Sequence, residues 1–332
     1  MKKAIVIMLV FSVTAATSAF GGSRQSEVYG KETKSFDMEP GGYVDIQADD
    51  GYIRINTWDQ DRVEVVMNKR AWGRNQREAE RNLDNIEIDI NHRGDRLYIH
   101  DVTDKENHRN IGLLDLIRGN WEFGSSVDFE IMMPKNMNLE LTADDGDVSV
   151  TDLEGEITVD IDDGDLNFEN LSTNRIEITM DDGDIDFDNV RQMTEAERAL
   201  VFISFDDGNV DVRRTEMEEF EIGGDDGDIT LLDVTVKNLE IDLDDGDFDG
   251  DLEVKPSGRI RVIIDDGDAI MNLPEDISAY FNLYAYDGRI RTDFPVEVER
   301  DEERAWVKDR TRDGDINIRA EVTNGYISIR YR

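Results

Sequence analysis

The four residues Asp-Asp-Gly-Asp recur six times in this chain, with glycines at 146, 164, 183, 227, 246 and 267. A seventh copy, Asp-Asp-Gly-Asn, centres on Gly208, and looser copies stand at Gly51, Gly288 and Gly314. From Gly146 to Gly288 successive glycines lie 18, 19, 25, 19, 19, 21 and 21 residues apart. The long interval contains residues 191–199, a charged insertion that reads as a short helix or loop. A fixed internal period of this kind points to a repeat architecture.

Apolar residues hold a constant phase against each glycine. Ile157, Val159 and Ile161 stand seven, five and three residues before Gly164. Ile176, Ile178 and Met180 repeat this before Gly183, as do Leu239, Ile241 and Leu243 before Gly246, and Ile260, Val262 and Ile264 before Gly267. Two and four residues after the glycines come Val148 and Val150, Leu166 and Phe168, Ile185 and Phe187, and Val210 and Val212. Period-two alternation on both sides of a turn excludes a helix and predicts strand, Asp-Asp-Gly turn, strand. A lone hairpin leaves its apolar face uncovered. Coils stacked about 4.8 Å apart cover one another. The expected fold is therefore all-β: a β-solenoid of stacked coils of about 19–21 residues, with a twisted sandwich or propeller as the alternative.

The ends depart from the repeat. Strands are expected at Tyr43–Ile46, Tyr52–Asn56, Val63–Met67, Ile86–Ile90 and Arg96–His100, with one short helix from Asn75 to Leu83. Residues 101–126 read as a loop, within which Ile111, Leu113, Leu114, Leu116 and Ile117 would form a small amphipathic helix over a solenoid end. Ile316–Val322 and Tyr326–Tyr331 flank Thr323-Asn324-Gly325 and read as a hairpin capping the last coil. The expected division is a signal peptide at 1–19, an N-terminal β region at 20–126, and the solenoid with its hairpin cap at 127–332.

The signal peptide is read from Met1-Lys2-Lys3, the apolar run Ala4–Val13, and the small residues Thr17-Ser18-Ala19 at a cleavage site. The run is too short to span a bilayer. The mature protein is expected to be exported, to the periplasm or the cell surface.

The chain carries 78 acidic and 37 basic side chains, a net charge of −41. Residues 140–288 hold 45 acids and 9 bases, whereas 289–332 hold 10 of each. Such a field argues against nucleic acid and anionic membrane surfaces as partners. It suits cations, basic partners or solvation alone. The absence of cysteine excludes thiolate catalysis and Cys-ligated metals. His92, His100 and His108 lack zinc-motif spacing, and the first two fit strand and turn positions. Trp58, Trp72, Trp121 and Trp306 all lie outside the repeats and are expected to pack around the solenoid ends.

Several segments together resemble a known family. They are Gly51-Tyr-Ile-Arg-Ile with Trp58-Asp-Gln-Asp-Arg-Val-Glu-Val, Val127-Asp-Phe-Glu-Ile with Pro134, Leu139-Glu-Leu-Thr, and Asp147-Val-Ser-Val-Thr-Asp-Leu-Glu-Gly155. Their order is similar to that of the bacterial "putative adhesin" family with β-strand repeats, a domain of unknown function, over most of residues 33–290. The resemblance implies a β-helix-like fold on exported or envelope proteins and carries no catalytic residues. Family turns commonly have Ser, Thr or Asn before Gly-Asp, where this chain has Asp-Asp.

Stacking would align the acids into columns. One column holds Asp144, Asp162, Asp181, Asp206, Asp225, Asp244 and Asp265. The second holds Asp145, Asp163, Asp182, Asp207, Asp226, Asp245 and Asp266, and the third Asp147, Asp165, Asp184, Asn209, Asp228, Asp247 and Asp268. Like charges about 5 Å apart repel by roughly 1 kcal/mol per pair even in bulk water. A hard cation would offset this, and calcium takes six to eight such oxygens. Calcium between successive turns is thus one expectation, with the aspartates of the six Asp-Asp-Gly-Asp turns as ligands. The competing one is that Asp-Asp-Gly is turn chemistry on an acidic surface. No serine-histidine, phosphate-loop or HExxH constellation occurs, and Arg259 and Arg261 read as solvated charges. The function expected is a non-catalytic adhesin-like or envelope interaction protein that engages an extracellular protein or glycan. A polysaccharide-active enzyme and a self-associating scaffold are the alternatives.

Overall fold

The computed structural model describes residues 14–16, 26–103, 124–193 and 199–332. The expected cleavage site and amphipathic helix, His108, Trp121 and most of the 191–199 insertion lie outside these residues. The fold is all-β with a single helix among the described residues. The chain divides into two compact units, residues 1–150 and 151–332.

In the first unit, Tyr43–Asp50 and Ile53–Trp58 meet at Gly51, as do Asn138–Asp145 and Val148–Thr151 at Gly146. The two pairs stack in parallel register, Tyr43 on Asn138 and Ile53 on Val148. Gly51 therefore touches Gly146 although 95 residues separate them in sequence. On its other side Ile53–Trp58 pairs with Ser125–Pro134. A long antiparallel edge follows, in which Ser26–Asp37 pairs with Arg62–Gly73. The helix, Gln76–Asp84, starts where Asn75 Oδ1 accepts the Glu78 amide at 3.2 Å. Its Ala79 packs on Val28 and Ala71 beneath Leu83. Gly73 admits this contact, since a Cβ there would lie 2.5 Å from the Ala79 nitrogen.

The second unit is built of parallel coils in solenoid-like succession. Ile157–Asp163 lies on Arg175–Asp182, which lies on Leu200–Asp207, then Glu216–Asp226, with no slip in register. Leu166–Glu169, Ile185–Asp188 and Val210–Arg213 form a second parallel ladder past the glycine corner. The apolar positions read from the alternation are the buried ones, and Phe168 stacks on Phe187 with ring centres 5.0 Å apart. The long repeat interval does not disturb pairing, because Arg175 still faces Leu200.

A second corner follows Gly146, Gly164, Gly183, Gly208 and Gly227 by six residues. Asp152, Asn170, Asn189, Arg214 and Asp233 take left-handed backbone conformations there, with φ between 51 and 60°. Asn and Asp tolerate this region through local side-chain hydrogen bonds. Asn189 Nδ2 also donates to Asn170 Oδ1 at 2.7 Å, linking two coils.

The C-terminal segment corrects the hairpin-cap expectation. Ile316–Tyr331 is one strand bent at Gly325, and it stacks as a coil between two earlier ones. One side pairs with Phe248–Asp266 and Ala269–Leu273, and the other with Ala279–Thr292. Ile318, Ala320, Val322, Ile327 and Ile329 are all buried, so the strand is core rather than lid. The end is covered instead by Ala305–Arg310, antiparallel to Ala279–Thr292, and by Glu299–Arg300 beyond it.

Candidate functional site: the acidic corners

Each Asp-Asp-Gly-Asp turn is an outward corner. The residue three before glycine is buried, except at Gly224, whose place is filled by the Phe205 ring; the next two point out, and the chain re-enters the core two residues after glycine. Glycine is required because its φ lies near 140° and the preceding coil's backbone passes directly against it. A Cβ on Gly227 would sit 1.6 Å from the Gly208 carbonyl oxygen. This closeness brings the acidic columns together in the second unit. Asp163 faces Asp182, then Asp207, Asp226, Asp245 and Asp266, and the column continues through Asn324 to Asp287. Asp144, Asp145 and Asp147 occupy the corresponding corner of the first unit, where Asp50 pairs with Asp145.

The column after glycine differs from the two before it. Asp165 Oδ1 accepts the Asp184 backbone N–H at 3.1 Å, and Asp184 Oδ1 accepts that of Asn209 at 2.9 Å. Asn209 Oδ1 accepts from Asp228, Asp228 from Asp247, Asp247 from Asp268, and Asp268 from Tyr326. In the first unit, Asp128 takes the Tyr52 N–H in the same way. The third column is thus a hydrogen-bond ladder joining each coil to its successor. The sequence identified these residues as candidate ligands without revealing that task.

The two columns before glycine are exposed. Crowding and the charges of Asp206, Asp162, Asp182 and Asp163 raise the pKa of Asp181. Asp245 is raised by crowding and by Asp226, Asp266 and Asp244, and it shares a hydrogen bond with Asp226. Proximity of like charges makes each harder to ionise. At the end of the first column Thr323 donates to Asp265 at 3.2 Å. Beside the corners runs a shallow groove lined by Asp184, Asp186, Asn209, Asp211, Asp228 and Thr230. Arg213 bridges two of its walls, reaching Asp186 at 3.1 Å and Asp211 at 2.9 Å.

Among the described residues, no three carboxylate or imidazole groups converge closely enough to hold a metal ion as the side chains stand. A bridging cation would have to draw carboxylates of adjacent corners together. The oxygen-only donor set matches calcium in chemistry, and the two exposed columns are where those donors lie.

The remaining candidates have structural partners. Arg261 Nη1 donates to Glu240 at 2.6 Å and Asp242 at 3.2 Å. His100 Nε2, on the expected strand, lies 3.1 Å from Asp45 Oδ1, and His92 Nε2, on a strand Ile88–Arg93 that runs past the expected end at Ile90, lies 3.1 Å from the Gly94 carbonyl. Trp58 donates to the Arg62 carbonyl at 2.8 Å, with the guanidinium over its ring. No helix among the described residues is long and apolar enough to cross a membrane.

The family profile described as Toastrack DUF4097 matches residues 45–330. No curated protein matches the chain. Solved structures similar to it include a "putative cell adhesion protein" of Clostridium sporogenes, at 12% identity and TM-score 0.27, covering 91% of this chain and 100% of that one. A "putative adhesin" of Bacteroides fragilis matches at 9% identity and TM-score 0.40, covering 90% and 96%. A "putative lipid binding protein" of Parabacteroides distasonis matches at 12% and 0.43, with the same coverage.

Proposed function

The chain belongs to the Toastrack DUF4097 family, and from that premise we propose an exported, non-catalytic, adhesin-like protein of the cell envelope that presents an acidic β-solenoid face. The supporting observation is the in-register column of exposed carboxylates, running from Asp163 to Asp266 at the spacing of the backbone ladder. A row of identical groups on a rigid scaffold suits many weak, simultaneous contacts, whose combined strength exceeds any one of them. Its partner would be an envelope or extracellular protein or glycan. Coils of about 19–21 residues are the repeat unit assigned to this fold. Calcium is the cation assigned to the two exposed columns, since it offsets their repulsion with oxygen ligands alone.

The test is binding of labelled mature protein to isolated cell envelopes in millimolar calcium, beside a variant carrying Asp→Asn at Asp182, Asp207, Asp226 and Asp245. Saturable binding that the variant loses is expected. Equal binding by both proteins would overturn a role for the acidic face. New unsaturated ends on acidic polysaccharides incubated with the protein would overturn the non-catalytic assignment.

A further inference from the structure

At the end of the second unit, a sheet face differs from the rest of the surface in chemistry. Ala279–Thr292 turns Tyr280, Asn282, Tyr284 and Tyr286 outward, while Phe281, Leu283 and Ala285 are buried. Its antiparallel neighbour turns Trp306, Lys308 and Arg310 to the same side. The register sets Tyr280 opposite Arg310, Asn282 opposite Lys308, and Tyr284 opposite Trp306. Arg304 continues the row, and Glu299 flanks Trp306 from the next strand. Tyr284, Tyr286, Arg304, Trp306 and Lys308 line an open groove of about 340 Å³.

The details favour recognition over packing. The Tyr284 and Tyr286 rings are nearly parallel, 19° apart in plane with centres 6.5 Å apart, and Tyr286 is 43% exposed. The Lys308 ammonium stands 5.1 Å from the Tyr284 ring centre. Asp301 Oδ2 accepts from Arg304 Nε at 3.1 Å and Nη2 at 2.8 Å, which fixes the guanidinium at the groove's edge. Rigid aromatic faces attract the weakly positive C–H face of a sugar ring through their quadrupole. Arg and Lys supply charge-assisted donors for a carboxylate. Asn282 and Glu299 supply an amide and an acceptor for hydroxyl groups.

The electrostatic setting agrees. The inserted C-terminal strand places an uncharged corner, Thr323-Asn324-Gly325-Tyr326, between the Gly267 corner and this sheet. Two strand spacings, about 9.6 Å, are comparable to the Debye length of about 8 Å at physiological salt. The acids of the Gly267 corner and beyond are therefore largely screened from this face; the sheet's own corner carries Asp287, which pairs with Asn324, and Glu321, opposite Tyr284, is bound by Arg319.

We propose that the face built by Tyr284, Tyr286, Trp306, Lys308 and Arg304 binds a saccharide bearing carboxylate groups. This deepens the envelope-interaction reading by giving it a site and a ligand class, and it rests on that reading for its biological setting only. The test is isothermal titration of the full mature chain with a short galacturonate oligomer, its methyl ester, and an oligothymidylate of matched charge. The galacturonate is expected to bind, and the ester at least about tenfold more weakly. Lys308→Glu and Tyr286→Ala, both at exposed positions, and Trp306→Ala are each expected to weaken binding about tenfold, the usual scale for a central contact. No binding of galacturonate, equal binding of its ester, tighter binding of oligothymidylate, or unchanged binding by Lys308→Glu and Tyr286→Ala would each overturn the proposal. Envelope binding retained by the variants while galacturonate fails would sink this site alone. Galacturonate binding without envelope binding would sink the broader function instead.

Discussion

Asp247 accepts the backbone N–H of Asp268 on its Oδ1 at 2.8 Å, one coil further along the stack. The contact recurs from Asp165 to Asp268 and gives the residue after glycine the duty of joining successive coils. Asp247→Ala is expected to cost about 1.5–3 kcal/mol, the range for a hydrogen bond to a charged acceptor. Asp247→Asn should retain most of this, because Asn209 Oδ1 already accepts the Asp228 amide at 3.1 Å. Urea titration separates the two variants. Equal losses would show that the acceptor does not matter.

Gly227 cannot carry a side chain. Its φ is 145°, and a Cβ would meet backbone, the Gly208 carbonyl, which cannot move without breaking the ladder. Gly227→Ala is expected to lose more than about 4 kcal/mol or fail to fold, the exceptional range for one substitution. A soluble, fully folded variant with a near-normal melting temperature would contradict the close stacking of the corners.

The exposed columns predict an unusual pH dependence. Asp181 and Asp245 have pKa values raised in the folded state by crowding and neighbouring carboxylates. Between the unfolded and folded pKa the native state binds more protons, so stability rises as pH falls through that window. The melting temperature should therefore climb from neutrality to just above the ordinary aspartate range. Asp181→Asn with Asp245→Asn should flatten this climb. A steady fall in melting temperature over the same interval would contradict the assignment. Asp301 acts in the opposite sense: its bonds to Arg304 lower its pKa, so its contribution is lost only at still lower pH.

Ile318→Asp tests the inserted strand. Ile318 is fully buried and pairs with Ile260 on one side and Phe281 on the other. A charge there should expose both neighbouring strands together, seen as lost amide-exchange protection at Val262 and Leu283. Protection lost only near the C-terminus would fit a peripheral cap instead.

Much of this was legible in the chain. The apolar phase around Gly164, Gly183 and Gly246 identified the buried face, because a corner that must pass under backbone fixes both glycine and its flanking alternation. The helix read from Asn75 to Leu83 stands at Gln76–Asp84, with Asn75 as its cap. The second corner escaped notice because Asp152, Asn170, Asn189, Arg214 and Asp233 share a backbone conformation without sharing a side chain. Their constant offset of six from glycine was the available signal. Coil order was not legible where it leaves sequence order, at Gly51 beside Gly146 and Gly325 between Gly267 and Gly288. Local alternation says which face a strand buries, and several free edges can satisfy it. The amide-accepting role of the third Asp column was not legible for a related reason: composition shows charge, whereas that role depends on an amide supplied by another coil. Trp306 was expected to pack at an end; it stands at one, half-buried and lining an open groove.

The most direct measurement on the acidic corners is a thermal melt of the protein in EDTA, then in millimolar calcium, with magnesium and ionic-strength-matched sodium controls. A cation held between the exposed columns binds only the folded state and raises the melting temperature by mass action. The expected result is a calcium-specific rise, absent with matched sodium and reduced in the Asp182, Asp207, Asp226 and Asp245 to Asn variant. An equal rise with any salt would contradict it and leave the Asp-Asp-Gly corners as turns on an acidic surface that needs only screening.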